Sequence, residues 1–358
     1  MSESLLTFVN GICKENHLRV EEDFGDGFVR LLSDEAQRRQ AIQDIRCPES
    51  ALLEMLRNAR DAHARTIFVS LNKYESDRFI TVIDDGDGIP EYMHTTIFEP
   101  RVTSKLDSSS IDKWGVHGRG MALYSISVNA KSARVFASEK NLGSSIGACF
   151  DTTVLPEKKD QSSFPRFIIN GKDGVLIKGP RNLLRTICEF SLEHRNTLEV
   201  YVGSPAEIAA TLYAYGLAHT TSIDRIFNTN TADVPYVKRL AFAADEAHFC
   251  SVCDEIGLHF SARTARRIMN GDIQAQPCVI DLIQARIELP NSKTQKSTSK
   301  RKPHAQHAFS NEDLQAFKRE TNRLYRELAQ RYYLDPNVEL ETHIANDKLY
   351  VSIPLIDL

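Results

Sequence analysis

Three segments between residues 50 and 125 follow one another in a fixed order, and together they restrict the fold more than any single property of the chain. The first is Glu54-x-x-x-Asn58-x-x-Asp61. It lies in a stretch from Ala51 to about Ala64 that reads as a helix opened by Cys47–Pro48–Glu49–Ser50, since proline is tolerated in a first turn where its missing N–H costs nothing. At 100° per residue the three polar groups fall at about 0°, 40° and −20°, on one face, while Leu52, Leu53, Leu56 and Ala59 turn towards a core. A carboxylate and an amide one turn apart can polarise a water and hold Mg2+. Taken alone, such a stripe is more often a solvated helix face.

The second segment is Asp84-x-Gly86-x-Gly88, directly after the strand-like Arg78–Ile83. A carboxylate at a strand end can accept from an exocyclic amine, and glycines let backbone approach a flat ring. A calcium loop would need a glutamate at its twelfth position, which is Thr95 here. The third is Gly115-x-x-Gly118-x-Gly120, opening the apolar helix Met121–Val128. Its glycines can turn backbone N–H groups towards phosphates at the positive end of a helix. It is neither a P-loop nor a dinucleotide fingerprint. Each segment is weak by itself; helix, strand and loop–helix in this order are far more specific.

Around these segments, Thr66–Leu71 and Arg78–Ile83 read as an antiparallel pair, and Arg134–Ala137 and Ala148–Val154 as further strands. Residues 1–45 read as helical with a break at Phe24–Gly27, Leu183–Phe190 as a helix, and Leu198–Val202 as a strand. The pattern turns helical from Pro205 to about Ile287. Asn291–Ser310 is Ser/Thr/Lys-rich without hydrophobic periodicity, so it reads as a linker, followed by a charged helix over about Asn311–Tyr333 and strand-like pieces at Val338–Ile344 and Lys348–Ile353.

ALLEMLRNARDAHARTIFV, ITVIDDGDGIP and TSK…WGVHGRGMALYSI resemble the N-box, the DxGxG box and the glycine lid of the GHKL ATPases, the superfamily of gyrase B, the ninety-kilodalton heat-shock chaperones, sensor histidine kinases and MutL. The resemblance implies an α/β Bergerat fold, a two-layer sandwich with a mixed sheet. IKGPRNLLRTICEFSLEHRNTLEVYVGSP and FCSVCDEIGLHFSARTARRIMNG are similar to stretches of the type IIB topoisomerase (topoisomerase VI) B subunit, the second in its helix–two-turns–helix domain. The implied organisation is a helical extension over 1–45, an ATP-binding domain over 46–204, a helix–two-turns–helix-like domain over 205–290, a basic linker over 291–310 and a C-terminal helix with short strands over 311–358.

Carried over residue by residue, the resemblance makes Glu54 the general base for the water attacking the γ-phosphate and Asn58 the Mg2+ ligand. Asp84 would bind the adenine amine, with Gly86 and Gly88 shaping the pocket floor. Gly115, Val116, His117, Gly118, Arg119 and Gly120 would wrap the phosphates, and Lys105 stands where relatives have a lid-base lysine. Asp61 is expected to be a structural partner, and Thr153, or else its neighbour Thr152, would be the strand threonine beside adenine. Trp114 would anchor the base of the lid. The fuller topoisomerase subunit has a transducer domain that supplies a lysine to the γ-phosphate. Only about 70 residues remain here, and although Lys293–Lys296 (KTQK) is a candidate, a basic linker is the preferred reading.

Function is therefore expected to be that of a Mg-dependent conformational ATPase acting in DNA topology or repair, slow because lid closure and reopening gate it, and closing as a nucleotide-dependent homodimer. A cleaving A-type subunit or another protein would be the partner. The alternative is a non-catalytic ATP-sensing regulator that binds DNA or protein through its helical domain. A MutL-like repair clamp is a third reading, against which stands the lack of a recognisable lysine motif of that family's second domain. A histidine kinase fits less well, because the first 45 residues hold only His17. Arg263, Arg266 and Arg267 could face DNA phosphates, a solvated surface or a protein, and the tract 293–302 would add salt-sensitive attraction. His248, Cys250, Cys253 and His259 have a CxxC but no second pair, so core cysteines are expected rather than a zinc site.

Composition fits this picture. The formal charge is −4, which argues against coating nucleic acid by net charge. No apolar run approaches the roughly 18 residues of a membrane span. The start MSESLLTFVN does not read as a secretion signal, and seven cysteines without a framework spacing suit reduced thiols, so a cytoplasmic protein is expected.

Overall fold

The segment Thr66–Tyr74 (TIFVSLNKY) has five successive buried residues before its exposed end. A strand covered on one face alternates between buried and exposed, so an unbroken buried run means that both faces of the sheet are covered. The computed structural model describes residues 20–32, 35–104, 110–112, 115–117, 120–170, 174–221, 231–288, 311–332, 335–336, 338, 341–345 and 348–353. They fall in two compact units, 1–292 and 293–358.

The first unit begins with the hairpin β1 (Val20–Gly25) and β2 (Phe28–Leu31), then α1 (Glu35–Asp44) and α2 (Pro48–Asp61). β3 (Thr66–Tyr74) and β4 (Asp77–Asp84) follow, then the short strands β5 (Val102–Thr103), β6 (Ser110–Asp112) and β7 (Gly115–His117). Next come α3 (Ala122–Asn129), β8 (Ser132–Ser138), β9 (Ser144–Asp151), β10 (Arg166–Asn170), β11 (Gly174–Lys178), α4 (Leu183–Glu193) and β12 (Glu199–Gly203). The unit closes with α5 (Pro205–Ala218), a 3-10 helix at Tyr236–Phe242, α6 (Glu246–Glu255), α7 (Ala262–Met269), α8 (Val279–Ala285) and β13 (Ile287–Glu288).

The main sheet has the order β12-β3-β4-β9-β8, with β12 parallel to β3 and the other pairs antiparallel. This is the mixed sheet of an α/β sandwich. Alternation along the strands then sorts side chains. Ile67, Val69, Ile80 and Val82 face one core with Leu52 and Leu56 of α2 and Ile187 and Phe190 of α4. Phe68 and Ile83 face a second core with Ile208 and Leu212 of α5, Leu240, and Phe249 of α6. Phe68 stacks on Tyr201 with centroids 5.0 Å apart and meets Tyr215 edge-on at 5.4 Å. α5, α6 and α7 thus lie on the sheet face opposite α2, whereas Val279 and Ile283 of α8 belong to the first core.

One expectation is corrected. Residues 20–31 are a β-hairpin, not helix, and only α1 is helical among the described residues of the first 45. The reason is the Gly25–Asp26–Gly27 turn, whose three residues have φ of 85°, 49° and 84°. Two glycines around an aspartate supply the left-handed backbone that a hairpin turn requires. Residues 1–19, including His17, lie outside the described residues.

In the second unit, α9 (Asn311–Tyr332) has Tyr325 and Ala329 buried with Val338, and β14 (Glu341–Ala345) pairs antiparallel with β15 (Lys348–Ser352). Among the described residues no helix is long and apolar enough to cross a membrane.

Candidate functional site

α2 buries Leu52, Met55, Leu56 and Ala59 against the sheet, and this fixes its rotation. Glu54, Asn58 and Asp61 are thereby turned to a pocket that they share with Asp84, Asp87 and Gly88 from the end of β4 and the loop after it. β4 alternation places Asp84 on the same side as Ile80 and Val82, facing α2, while Ile83 faces the opposite core. The helix and the strand end with the loop after it line one pocket.

Asp84 is 3% exposed. Its Oδ1 accepts from Gly86 N at 2.8 Å and its Oδ2 from Ser144 Oγ at 2.5 Å. A carboxylate only accepts, through about four lone-pair sites, the chemistry that suits a ligand amine. Met55, Val82, Ile89, Ile97, Leu123 and Ile146 supply apolar walls, a lining suited to a flat heterocycle whose edge meets one polar group. Gly88 (φ 72°) could not carry a side chain, since a Cβ would stand 1.9 Å from Glu139 O. Gly86 has a different task from a pocket floor: its Cβ would meet Ala62 O at 2.4 Å, so it lets the loop pass the end of α2.

At the other end of the pocket, Gly120 and Ala122 bring in the start of α3, whose N-cap Met121 offers no side-chain cap. Uncapped first-turn N–H groups suit phosphate oxygens. Arg57 Nη1 is ion-paired with Glu54 Oε1, and Arg60 Nη2 holds Asp61 Oδ1 at 2.7 Å. The Asn58 amide with the carboxylates of Glu54 and Asp61 is an all-oxygen acceptor set, the donor chemistry that Mg2+ takes together with phosphate and water oxygens. The residues present therefore fit a Mg-nucleotide.

The glycine lid is only partly in view. Gly115, Val116 and His117 form β7 and pair with Asp112, Ile111 and Ser110 of β6. Lys105, Trp114, Gly118 and Arg119 lie outside the described residues, as do the tract 293–302 and Lys293–Lys296.

Thr153 is not beside Asp84. It follows β9 as an exposed turn residue, and its N and Oγ1 bond Asp151 Oδ1 at 2.9 and 2.6 Å. Thr152 is likewise tied to Ser76 O, at 2.8 Å. β9 runs antiparallel to β4, so Asp151 pairs with Asp77 and Ser144 with Asp84. The first residue of β9, not the end, reaches the pocket; antiparallel pairing of the two strands was the signal that could have found Ser144. Phe28 of β2, also in the lining, was hidden in a segment read as helix.

Other charged and thiol groups lie elsewhere. Cys250 and Cys253 are on α6, Cys253 is buried in the second core, and burial pushes both thiols up, away from the thiolate a metal needs. Arg263, Arg266 and Arg267 are exposed on α7, with Arg266 Nε 2.7 Å from Glu246 Oε1.

Residues 45–166 match the family profile described as histidine kinase-, DNA gyrase B-, and HSP90-like ATPase. The chain carries a GHKL ATPase domain. It is similar to the DNA mismatch repair protein MutL of Parabacteroides distasonis, 32% identical over 122 residues that make up 34% of this chain and 20% of that protein. MutL of Clostridium beijerinckii is 35% identical over 109 residues, 28% of this chain and 16% of that protein. MutL of Lactiplantibacillus plantarum is 40% identical over 82 residues, 22% of this chain and 12% of that protein. The matched stretch thus spans a fifth or less of these relatives. These matches support the GHKL superfamily and a distant kinship with MutL; they do not support the topoisomerase VI B subunit in particular.

Proposed function

We propose that the GHKL domain binds Mg-ATP and uses its slow hydrolysis to switch conformation in a DNA-repair-type process. The observation that carries this reading is the convergence of Glu54 and Asn58, Asp84 with Ser144, Gly88, and the start of α3 on one apolar-walled pocket. Asp84 accepts the adenine amine, Gly88 lets the loop backbone that lines the pocket pass close to Glu139, and the apolar residues exclude water around the ring. Asn58 supplies an amide oxygen to Mg2+, which neutralises phosphate charge when bound. Glu54 takes the proton of the water that attacks the terminal phosphorus as the bond to the bridging oxygen breaks. Lys105 and the residues 115–120 are assigned to the phosphates as lid. The kinship with DNA mismatch repair proteins supports a role at DNA, with Arg263, Arg266 and Arg267 as the phosphate-facing side chains and a nucleotide-dependent homodimer as the closed state.

A second reading is favoured by one contact. The Glu54–Arg57 ion pair already engages the proposed base, which suits an ATP-sensing regulator with little turnover. ATP hydrolysis by wild type and Glu54→Ala, with and without duplex DNA, decides between them. An ATPase loses about 10²- to 10⁴-fold on removing the base and keeps nucleotide binding. ATP binding with no hydrolysis by either protein selects the regulator. DNA stimulation abolished by replacing the three α7 arginines supports the DNA role.

A further inference from the structure

Charge balance in the pocket singles out Arg57. Among the described residues that line it, Arg57 carries the only positively charged side chain, against the carboxylates of Glu54, Asp61, Asp84 and Asp87. Its side chain is 6% exposed, and it is ion-paired with Glu54 one helical turn earlier. Arg57 lines the same pocket as Asn58, and its guanidinium holds Glu54, the group assigned to the water at the phosphate end of the site. A buried pair of this kind is balanced only while both partners remain; adding negative charge next to it gives the cation a second claimant. A guanidinium can serve both, because its planar fork presents several N–H donors that suit carboxylate and phosphate oxygens alike.

We propose that Arg57 reads the terminal phosphate of the nucleotide. This rests on the assignment of the pocket to a nucleoside triphosphate. Without nucleotide, Glu54 neutralises Arg57. With a triphosphate bound, the guanidinium is shared with the terminal phosphate, and its hold on Glu54 is weakened, which frees carboxylate oxygen for the water. A diphosphate leaves the pair closed. Arg57 therefore sets the preference for triphosphate over diphosphate and couples the readiness of Glu54 to the group that is to be hydrolysed.

The test is calorimetric titration of the full chain with Mg-ATP and Mg-ADP for wild type, Arg57→Met, Arg57→Lys and Glu54→Gln. Arg57→Met should lower the ATP-over-ADP preference about tenfold while ADP affinity stays within about threefold, a change of about 1.4 kcal/mol in the ratio. Arg57→Lys should retain part of the preference, since a point charge replaces the fork. Glu54→Gln, which removes the competing carboxylate, should raise the preference. An unchanged ratio in Arg57→Met, or equal loss of both nucleotides by a folded variant, overturns the proposal. Should Arg57→Met fail to fold, as shown by loss of a cooperative melt, Glu54→Gln decides alone: an unchanged or lower ratio overturns it. Wild type that binds neither nucleotide removes the pocket assignment itself, whereas binding of both with an intact ratio in Arg57→Met removes only the role of Arg57.

Discussion

Ser144 Oγ donates to Asp84 Oδ2 at 2.5 Å across the β4–β9 pair, with both residues buried. The next residue, Ser145, points through the other face of the sheet and donates to Ile256 O at 2.7 Å, at the end of α6. Two consecutive residues of β9 thus tie the proposed adenine carboxylate on one side and the helical segment on the other.

The first prediction follows from the first bond. Asp84→Asn places an amide donor against the adenine amine and the Ser144 hydroxyl, and should weaken ATP binding at least 30-fold, about 2 kcal/mol or more. Ser144→Ala removes one hydrogen bond but leaves the carboxylate, and should cost only about fivefold, about 1 kcal/mol. Titration with Mg-ATP measures both; equal effects would mean that Asp84 is not the group facing adenine.

The second prediction concerns close approach. Gly143 (φ 85°) sits where a Cβ would stand 2.1 Å from Asp84 O, whereas around Gly27 (φ 84°) nothing lies within 4 Å. Gly143→Ala should destabilise the fold by about 3 kcal/mol or more, because backbone must move. Gly27→Ala carries only the left-handed strain, about 1 kcal/mol. Thermal unfolding of the two variants compares them directly.

A third prediction is a pH dependence. Glu157 receives Arg78 Nε at 2.8 Å and is also ion-paired with Lys73, joining the outer ends of β3 and β4. Burial pushes its carboxyl up, but the hydrogen bonds and charges of Arg78 and Lys73 outweigh burial and hold it below the ordinary value of 4.5. A depressed carboxyl stabilises the fold above its unfolded-state pKa, and that contribution is lost as pH falls through the folded value. Glu157→Gln should therefore cost about 2 kcal/mol at pH 7 and progressively less below pH ~4.5, where the wild type loses the same charge. Denaturant midpoints from pH 7 to pH 3 follow the difference; a gap that does not narrow refutes it.

The site was legible where chemistry and local periodicity coincide. Glu54, Asn58 and Asp61 share a face because any helix with Leu52 and Leu56 inside must turn them out together, and Asp84 ends a strand whose apolar run was plain. Ser144 was missed and Thr153 misplaced because strand partners and direction are non-local, whereas residue type is local. The hairpin was missed for a similar reason: Val20–Leu31 is short, polar on one face, and marked chiefly by its Gly–Asp–Gly turn. Nor could periodicity show that α5 to α7 cover the second sheet face, although the unbroken apolar character of β3 hinted that something must.

Purine discrimination tests the central claim most directly, because Asp84 accepts hydrogen bonds and cannot donate them. In titrations of the wild-type protein with Mg2+, ATP should bind saturably and GTP, whose ring presents an oxygen in place of the amine, at least about tenfold more weakly, a difference of about 1.4 kcal/mol or more. No binding of ATP, or equal binding of the two, would contradict the assignment of this pocket to adenine.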